Sequence, residues 1–158
     1  MKRLVLLGLL VLLSGCIRDY FQPIADPIDL YSKSGYSKVD VGKAALECGM
    51  NDPYMSGAFG YSSDSFTKES MNAYALAELC LLKSGFHRSR RRNVGTMCEA
   101  FPEENLPACQ PGAVIPKRDV NRRLKGRYCR LELDYEFCKK NAKLTEKCGE
   151  PPHPACLP

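Results

Sequence analysis

Histidine is scarce, tryptophan is absent and no apolar run is long. The chain of 158 residues has two histidines, His87 and His153. His87 opens a basic run and His153 stands between prolines, so no serine is offered an imidazole base and no convincing triad can be assembled. There is no glycine-rich phosphate loop and no dinucleotide fingerprint. Glu103-Glu104 lies in a proline-flanked loop, the setting of solvated rather than catalytic carboxylates. Close cysteine pairs are missing too. Structural zinc wants two ligands two to four residues apart, and no two of the nine cysteines are that near. These absences name no catalytic residue, no metal ligand and no cofactor, and the expectation is a chain that is not an enzyme. Beyond the first fifteen residues nothing approaches 18 consecutive apolar residues, so no later segment reads as a membrane span.

What is present begins with an address. Lys2 and Arg3 precede the apolar run Leu4 to Leu13, followed by Leu13-Ser14-Gly15-Cys16. A basic start, a short apolar stretch and a small-residue cleavage site form a secretory signal. Ten helical residues span about 15 Å, half of a bilayer core. Residues 1–15 are therefore read as a leader, and its loss takes the net charge from +5 to about +3. That mild balance does not point to nucleic acid.

Leu-Ser-Gly-Cys resembles the lipobox of bacterial lipoproteins, in which the peptidase cuts before the cysteine and the cysteine is acylated. The resemblance implies that Cys16 is the lipidated first residue of the mature chain, and that the chain holds to a membrane through this anchor. An Asp directly after the cysteine favours inner-membrane retention in that class. Ile17 stands there instead, so the resemblance implies the outer membrane, facing the periplasm. Residues 16–35, broken by Pro23, Pro27 and Gly35, read as a lipidated tether, and 36–158 as the folded domain; the apolar Tyr20, Phe21, Ile24, Ile28 and Leu30 leave docking of part of the tether on the domain as the alternative.

Setting Cys16 aside leaves Cys48, Cys80, Cys98, Cys109, Cys129, Cys138, Cys148 and Cys156. An even number in an exported chain predicts four bridges, whose pairing the count does not determine. Pro107-Ala108-Cys109-Gln110-Pro111 is echoed by Pro154-Ala155-Cys156-Leu157-Pro158, which suggests cysteine-closed units in tandem. The pairing expected on that basis is Cys48–Cys80, Cys98–Cys109, Cys129–Cys138 and Cys148–Cys156. A nested alternative joins Cys98 to Cys138 and Cys109 to Cys129.

The spacing predicts a helix over about 38–48, with Ser37 as cap, Asp40 completing a capping box and Gly49 as stop. A second helix over about 68–84 carries Met71, Ala75, Leu79, Leu82 and Phe86 at helical spacing. A short helix is expected after Asp119, with Val120 and Leu124 inward and Gly126 at its end. Residues 128–138 fit a strand period and a helix period equally. A straight helix would hold Cys129 and Cys138 about 13 Å apart, too far for a bridge, which needs Cα atoms within about 7 Å. A last short helix is expected between Lys139 and Cys148. The fold class is mainly α: a small disulfide-rich domain in which a helical pair is followed by cysteine-closed loops and short helices.

His87-Arg88-Ser89-Arg90-Arg91-Arg92 is the most unusual surface feature. Arg88, Arg90, Arg91 and Arg92 form a candidate patch for an anionic partner. Arg122, Arg123, Lys125 and Arg127 would enlarge it if the two segments met.

With its lipobox, the segment Gly35 to Gly49, Ala75-Leu-Ala-Glu-Leu-Cys80 and the tandem cysteine units, the chain is similar to small cysteine-rich proteobacterial lipoproteins. Some of these are immunity proteins that neutralise toxins delivered into the periplasm. The absence of catalytic chemistry, the lipid address and a disulfide-stapled scaffold point to a protein-binding module with a protein partner, and an inhibitor or immunity protein is its sharpest form by analogy of class. A structural or assembly component of the envelope is the alternative. Gly35, Ser37, Val41, Leu46, Gly49 and Pro53 also imitate a segment of outer-membrane assembly lipoproteins. Those proteins continue into strands, and here a helix follows.

Overall fold

Ser37 and Asp40 start the first helix as their spacing predicts. In the computed structural model, which describes residues 26–54, 67–89 and 95–158, helix α1 runs Lys38–Cys48. The Ser37 hydroxyl accepts the Asp40 N–H while the Asp40 carboxylate accepts the Ser37 N–H. Gly49 ends the helix at φ +99, a left-handed turn that a side chain would strain. Helix α2 runs Lys68–Lys83 behind a Thr67 cap. The two helices meet through small residues: Ala44, Ala45 and Ala77 are completely buried, with Leu81 and Phe86 filling the space beside them. Cys48–Cys80 staples the ends of both helices, as expected.

The segment read as tether does not stop short of the domain. Pro27–Leu30 forms a 3-10 turn, and strand β1, Tyr31–Ser32, pairs antiparallel with β2, His87–Arg88. Ile28 and Tyr31 are buried in the main core. The boundary placed at residue 36 is therefore corrected, since the core reaches back at least to Ile28. The reason is composition: Ile28, Leu30 and Tyr31 carry enough apolar surface to dock, although prolines interrupt their period. Cys16 and the earlier part of that segment lie outside the described residues.

Helix α3, Met97–Ala100, has its own capping box from Thr96 and Glu99. Cys98–Cys109 closes the loop after it, as expected. The Pro107–Cys109 turn then docks on α2, where the Asn72 amide oxygen accepts the Ala108 N–H at 2.7 Å. Met71, Ala75, Met97, Leu106 and Ala108 make a second core there.

Helix α4, Val120–Lys125, begins at an Asp119 cap and ends at Gly126. Its inward residue is not Val120, which is half exposed, but Arg123. The ambiguous stretch 128–138 resolves into two helices, α5 Arg127–Leu133 and α6 Tyr135–Asn141. Asp134 breaks the run and caps α6, accepting the Phe137 N–H at 2.9 Å. The helix expected between Lys139 and Cys148 shrinks to a 3-10 turn, Thr145–Lys147, after α6 has taken up residues 139–141.

The last four cysteines pair differently from either expectation. Cys129 joins Cys156 and Cys138 joins Cys148. Tandem Cys129–Cys138 and Cys148–Cys156 are not formed, nor is the nested Cys98–Cys138 with Cys109–Cys129. Cys129 and Cys138 sit in different cores, Cys129 with Leu46, Tyr128 and Ala155, Cys138 with Leu131. The Pro-Ala-Cys echo is nonetheless structural, because Pro107–Cys109 and Pro154–Cys156 are both 3-10 turns. It specifies a local shape and not a partner. The domain is mainly helical and held by four disulfides.

Candidate functional site

Of the four arginines expected to form an anionic-partner patch, the described residues include one. Arg90, Arg91 and Arg92 lie outside them. Arg88 is on β2 and turns inward: its Nε is 2.8 Å from Glu78 Oε1, and its side chain is 12% exposed. Glu78 is itself almost completely buried on α2. The Tyr31 hydroxyl donates to Glu78 Oε1 at 2.7 Å, and the Met97 N–H donates to Oε2 at 2.6 Å. One carboxylate thus ties together β1, α2, β2 and the start of α3. Arg88 is corrected from surface patch to core ion pair. The cause is the register of β1 against β2, which sets Arg88 opposite Tyr31, directly over Glu78.

Burial raises the Tyr31 phenol far above its ordinary range, with Tyr74 and the Glu78 charge adding to it. A phenolate beside a buried carboxylate would be two anions in low dielectric, so Tyr31 stays a donor.

Among the described residues, the second basic segment is engaged away from Arg88. Arg118 and Arg123 converge on Glu47, which is buried near the end of α1. Arg118 Nη2 is 2.7 Å from Glu47 Oε2, and Arg123 Nε is 3.3 Å from Oε1. Arg122 Nη1 donates to the Glu47 carbonyl at 2.6 Å. Arg123 Nη1 also donates to the carbonyls of Ala155 and Leu157, at 2.6 and 2.7 Å. Arg127 donates to the Asn141 carbonyl. Arg88 is engaged at one centre and Arg122, Arg123 and Arg127 at others, while Arg90, Arg91 and Arg92, on which a merged patch would depend, lie outside the described residues.

Against this face pack Tyr54, Tyr128 and His153, with the Tyr54 and His153 rings 4.1 Å apart. His153 Nδ1 accepts the Ala155 N–H at 3.1 Å, and Glu132 accepts the His153 N–H at 2.8 Å. Burial pushes the Tyr54 phenol up to about 12, helped by the charge of Asp26. His153 thus acts as a cap and packing surface.

Both carboxylates were legible in part. Glu78 completes an i, i+4, i+7 stripe with Met71 and Ala75, and Glu47 lies three residues after Ala44 on the buried side of α1. A charged residue on an apolar stripe signals a buried partner of opposite sign. Chemically, each centre is a buried carboxylate paired with one or more guanidinium groups, which suits clamping of segments. Among the described residues, no group of three His, Cys, Asp or Glu side chains could hold a metal ion, and no helix is long and apolar enough to cross a membrane. Comparison of the chain with family models, with curated proteins and with solved structures yields no match.

Proposed function

We propose that the protein is a lipoprotein anchored through Cys16 at the outer membrane, where its stapled domain binds a protein partner in the periplasm. The observation that carries this reading is Leu13-Ser14-Gly15-Cys16 directly after a short apolar leader. The scaffold supports it: four disulfides and two buried ion-pair centres hold short segments in fixed relation. A rigid surface loses little conformational entropy on binding. An inhibitor of a periplasm-acting toxin is the sharpest form of the proposal, and it comes by analogy of class.

Metabolic labelling with a fatty-acid probe tests the anchor. The wild-type chain takes the label and Cys16→Ala does not; equal labelling of both would sink the anchor. Purification from detergent-solubilised membranes tests the binding. One protein recovered in constant ratio under several mild detergents supports it, and recovery of the chain alone in all of them removes it. Envelope machinery as the recovered partner would favour a structural or assembly role.

A further inference from the structure

A neutral imidazole accepts a hydrogen bond at one nitrogen, and an imidazolium accepts at neither. His153 uses that acceptor. Its Nδ1 takes the Ala155 N–H at 3.1 Å and so caps the Pro154–Cys156 turn. A ring bonded in this way carries its proton on Nε2. Ala155 is completely buried, so its N–H has no solvent to turn to when the acceptor is lost, and a buried donor left unpaired is costly. The next bond of the turn, from the Cys156 N–H to the His153 carbonyl at 2.8 Å, is backbone and does not titrate. His153 itself is only half-buried, within reach of protons from solvent.

We propose that His153 is an acid-sensitive latch: a proton taken up at Nδ1 releases the Ala155 N–H and loosens the turn that carries Cys156. The added proton would face the Ala155 N–H, donor against donor, so the capped turn and the imidazolium exclude each other. Negative groups surround the ring. From α5, Glu132 accepts the His153 N–H at 2.8 Å, and the Tyr128 ring stands edge-on to His153. From the segment after α1, the Tyr54 ring lies 4.1 Å away. The charges of Asp26 and Asp52 act on the Tyr128 phenol together with that of Glu132. These carboxylates can pair with an imidazolium that has left the cap. The cations hold the carbonyl side of the turn. Arg123 from α4, itself beside Glu47, donates to Ala155 and Leu157, and Lys43 from α1 donates to Pro158. The capped state requires the neutral ring, so it loses ground as pH falls. Histidine changes charge between pH 5 and pH 8, and the sequence holds only one other, His87, exposed on β2. Ala155 and Cys156 pack in one cluster with Leu46, Tyr128 and Cys129, so a loosened turn admits solvent to the Cys129–Cys156 bridge.

The oxidised full chain is treated with a water-soluble phosphine at pH 7.5 and at pH 5.0, quenched by alkylation and mapped. Opening of Cys129–Cys156 is read as a ratio to opening of Cys48–Cys80, which lies in the main core of the same molecule. A side-chain cap shifts an opening equilibrium about fivefold, so the ratio should rise about fivefold on acidification. His153→Asn keeps an acceptor oxygen at the cap and removes the titration, and its ratio should stay level. His87→Asn should rise as the wild type does. In a proton–nitrogen correlation spectrum of the wild type at pH 7.5, His153 should bear its proton on Nε2, and the Ala155 amide should shift together with the ring on acidification. A level ratio in the wild type overturns the proposal, as does a rise that survives His153→Asn or one that His87→Asn abolishes. A proton on Nδ1 at pH 7.5 overturns it without any variant.

Discussion

A guanidinium that neutralises a buried carboxylate cannot be removed without leaving the carboxylate behind. Arg88 is in that position, so Arg88→Ser should destabilise the domain by about 3 kcal/mol. Replacing exposed Lys140 by Ser should change stability by less than about 0.5 kcal/mol. Urea midpoints of the oxidised proteins decide it, and equal midpoints would mean that Glu78 has no need of Arg88. The buried phenols give a pH dependence of definite sign. Tyr31, Tyr54 and Tyr128 all ionise above their ordinary value of 10.0, chiefly because burial disfavours the phenolate. Above pH 10 the unfolded chain has lost protons that the folded one still binds, so stability falls as pH rises. For Tyr54 the decline runs from about 10 to about 12. The urea midpoint should be flat between pH 7 and pH 9 and fall beyond 10, and Tyr54→Phe should make that fall shallower.

Helix α1 contains a glycine whose role is contact. Glycine to alanine inside a helix ordinarily stabilises by about 1 kcal/mol. At Gly42 a Cβ would overlap the Tyr54 hydroxyl, and the Tyr54 ring is packed against His153 and Tyr128. Gly42→Ala should therefore destabilise by about 1–2 kcal/mol. The penalty should vanish in a Tyr54→Ala background, which a double-mutant cycle measures. Such long-range contacts mark the limit of what the sequence discloses. Both main helices, the Ser37–Asp40 box and the Gly49 stop were legible because they are settled within a few residues. The inward residue of α4 was not. Val120 suits a core by hydrophobicity, but Glu47, far back in the chain, draws Arg123 into that place. Residues 128–138 satisfied two periods at once, and only the Asp134 cap separates α5 from α6. The Arg88 pairing depends on a two-residue ladder that no periodicity records.

For the molecule as a whole the bridges give the sharpest test. Non-reducing tryptic digestion should yield one species that joins residues 128–130, 131–139 and 148–158, through Cys129–Cys156 and Cys138–Cys148. Residues 93–117 should be bridged only to themselves. Fragmentation of the joined species between Glu150 and Cys156 assigns each partner. Finding 148–158 alone, closed on itself, would contradict the fold. The C-terminal tail is held three ways: by Cys129–Cys156, by Arg123, and by Lys43, which donates to the Pro158 carbonyl at 2.9 Å. This has a consequence for the order of assembly. A chain that emerges N-terminus first presents Cys48 with Cys80, and Cys98 with Cys109, as successive thiols that can be oxidised on arrival. Cys129 is followed by Cys138 and Cys148, and its partner Cys156 appears only after both. A fast oxidant would join the wrong neighbours, and exchange through mixed disulfides must undo them. On that order, closure of Cys129–Cys156 waits for Cys156 to enter the oxidising compartment, and slower refolding of the reduced chain without a disulfide isomerase is the expected outcome.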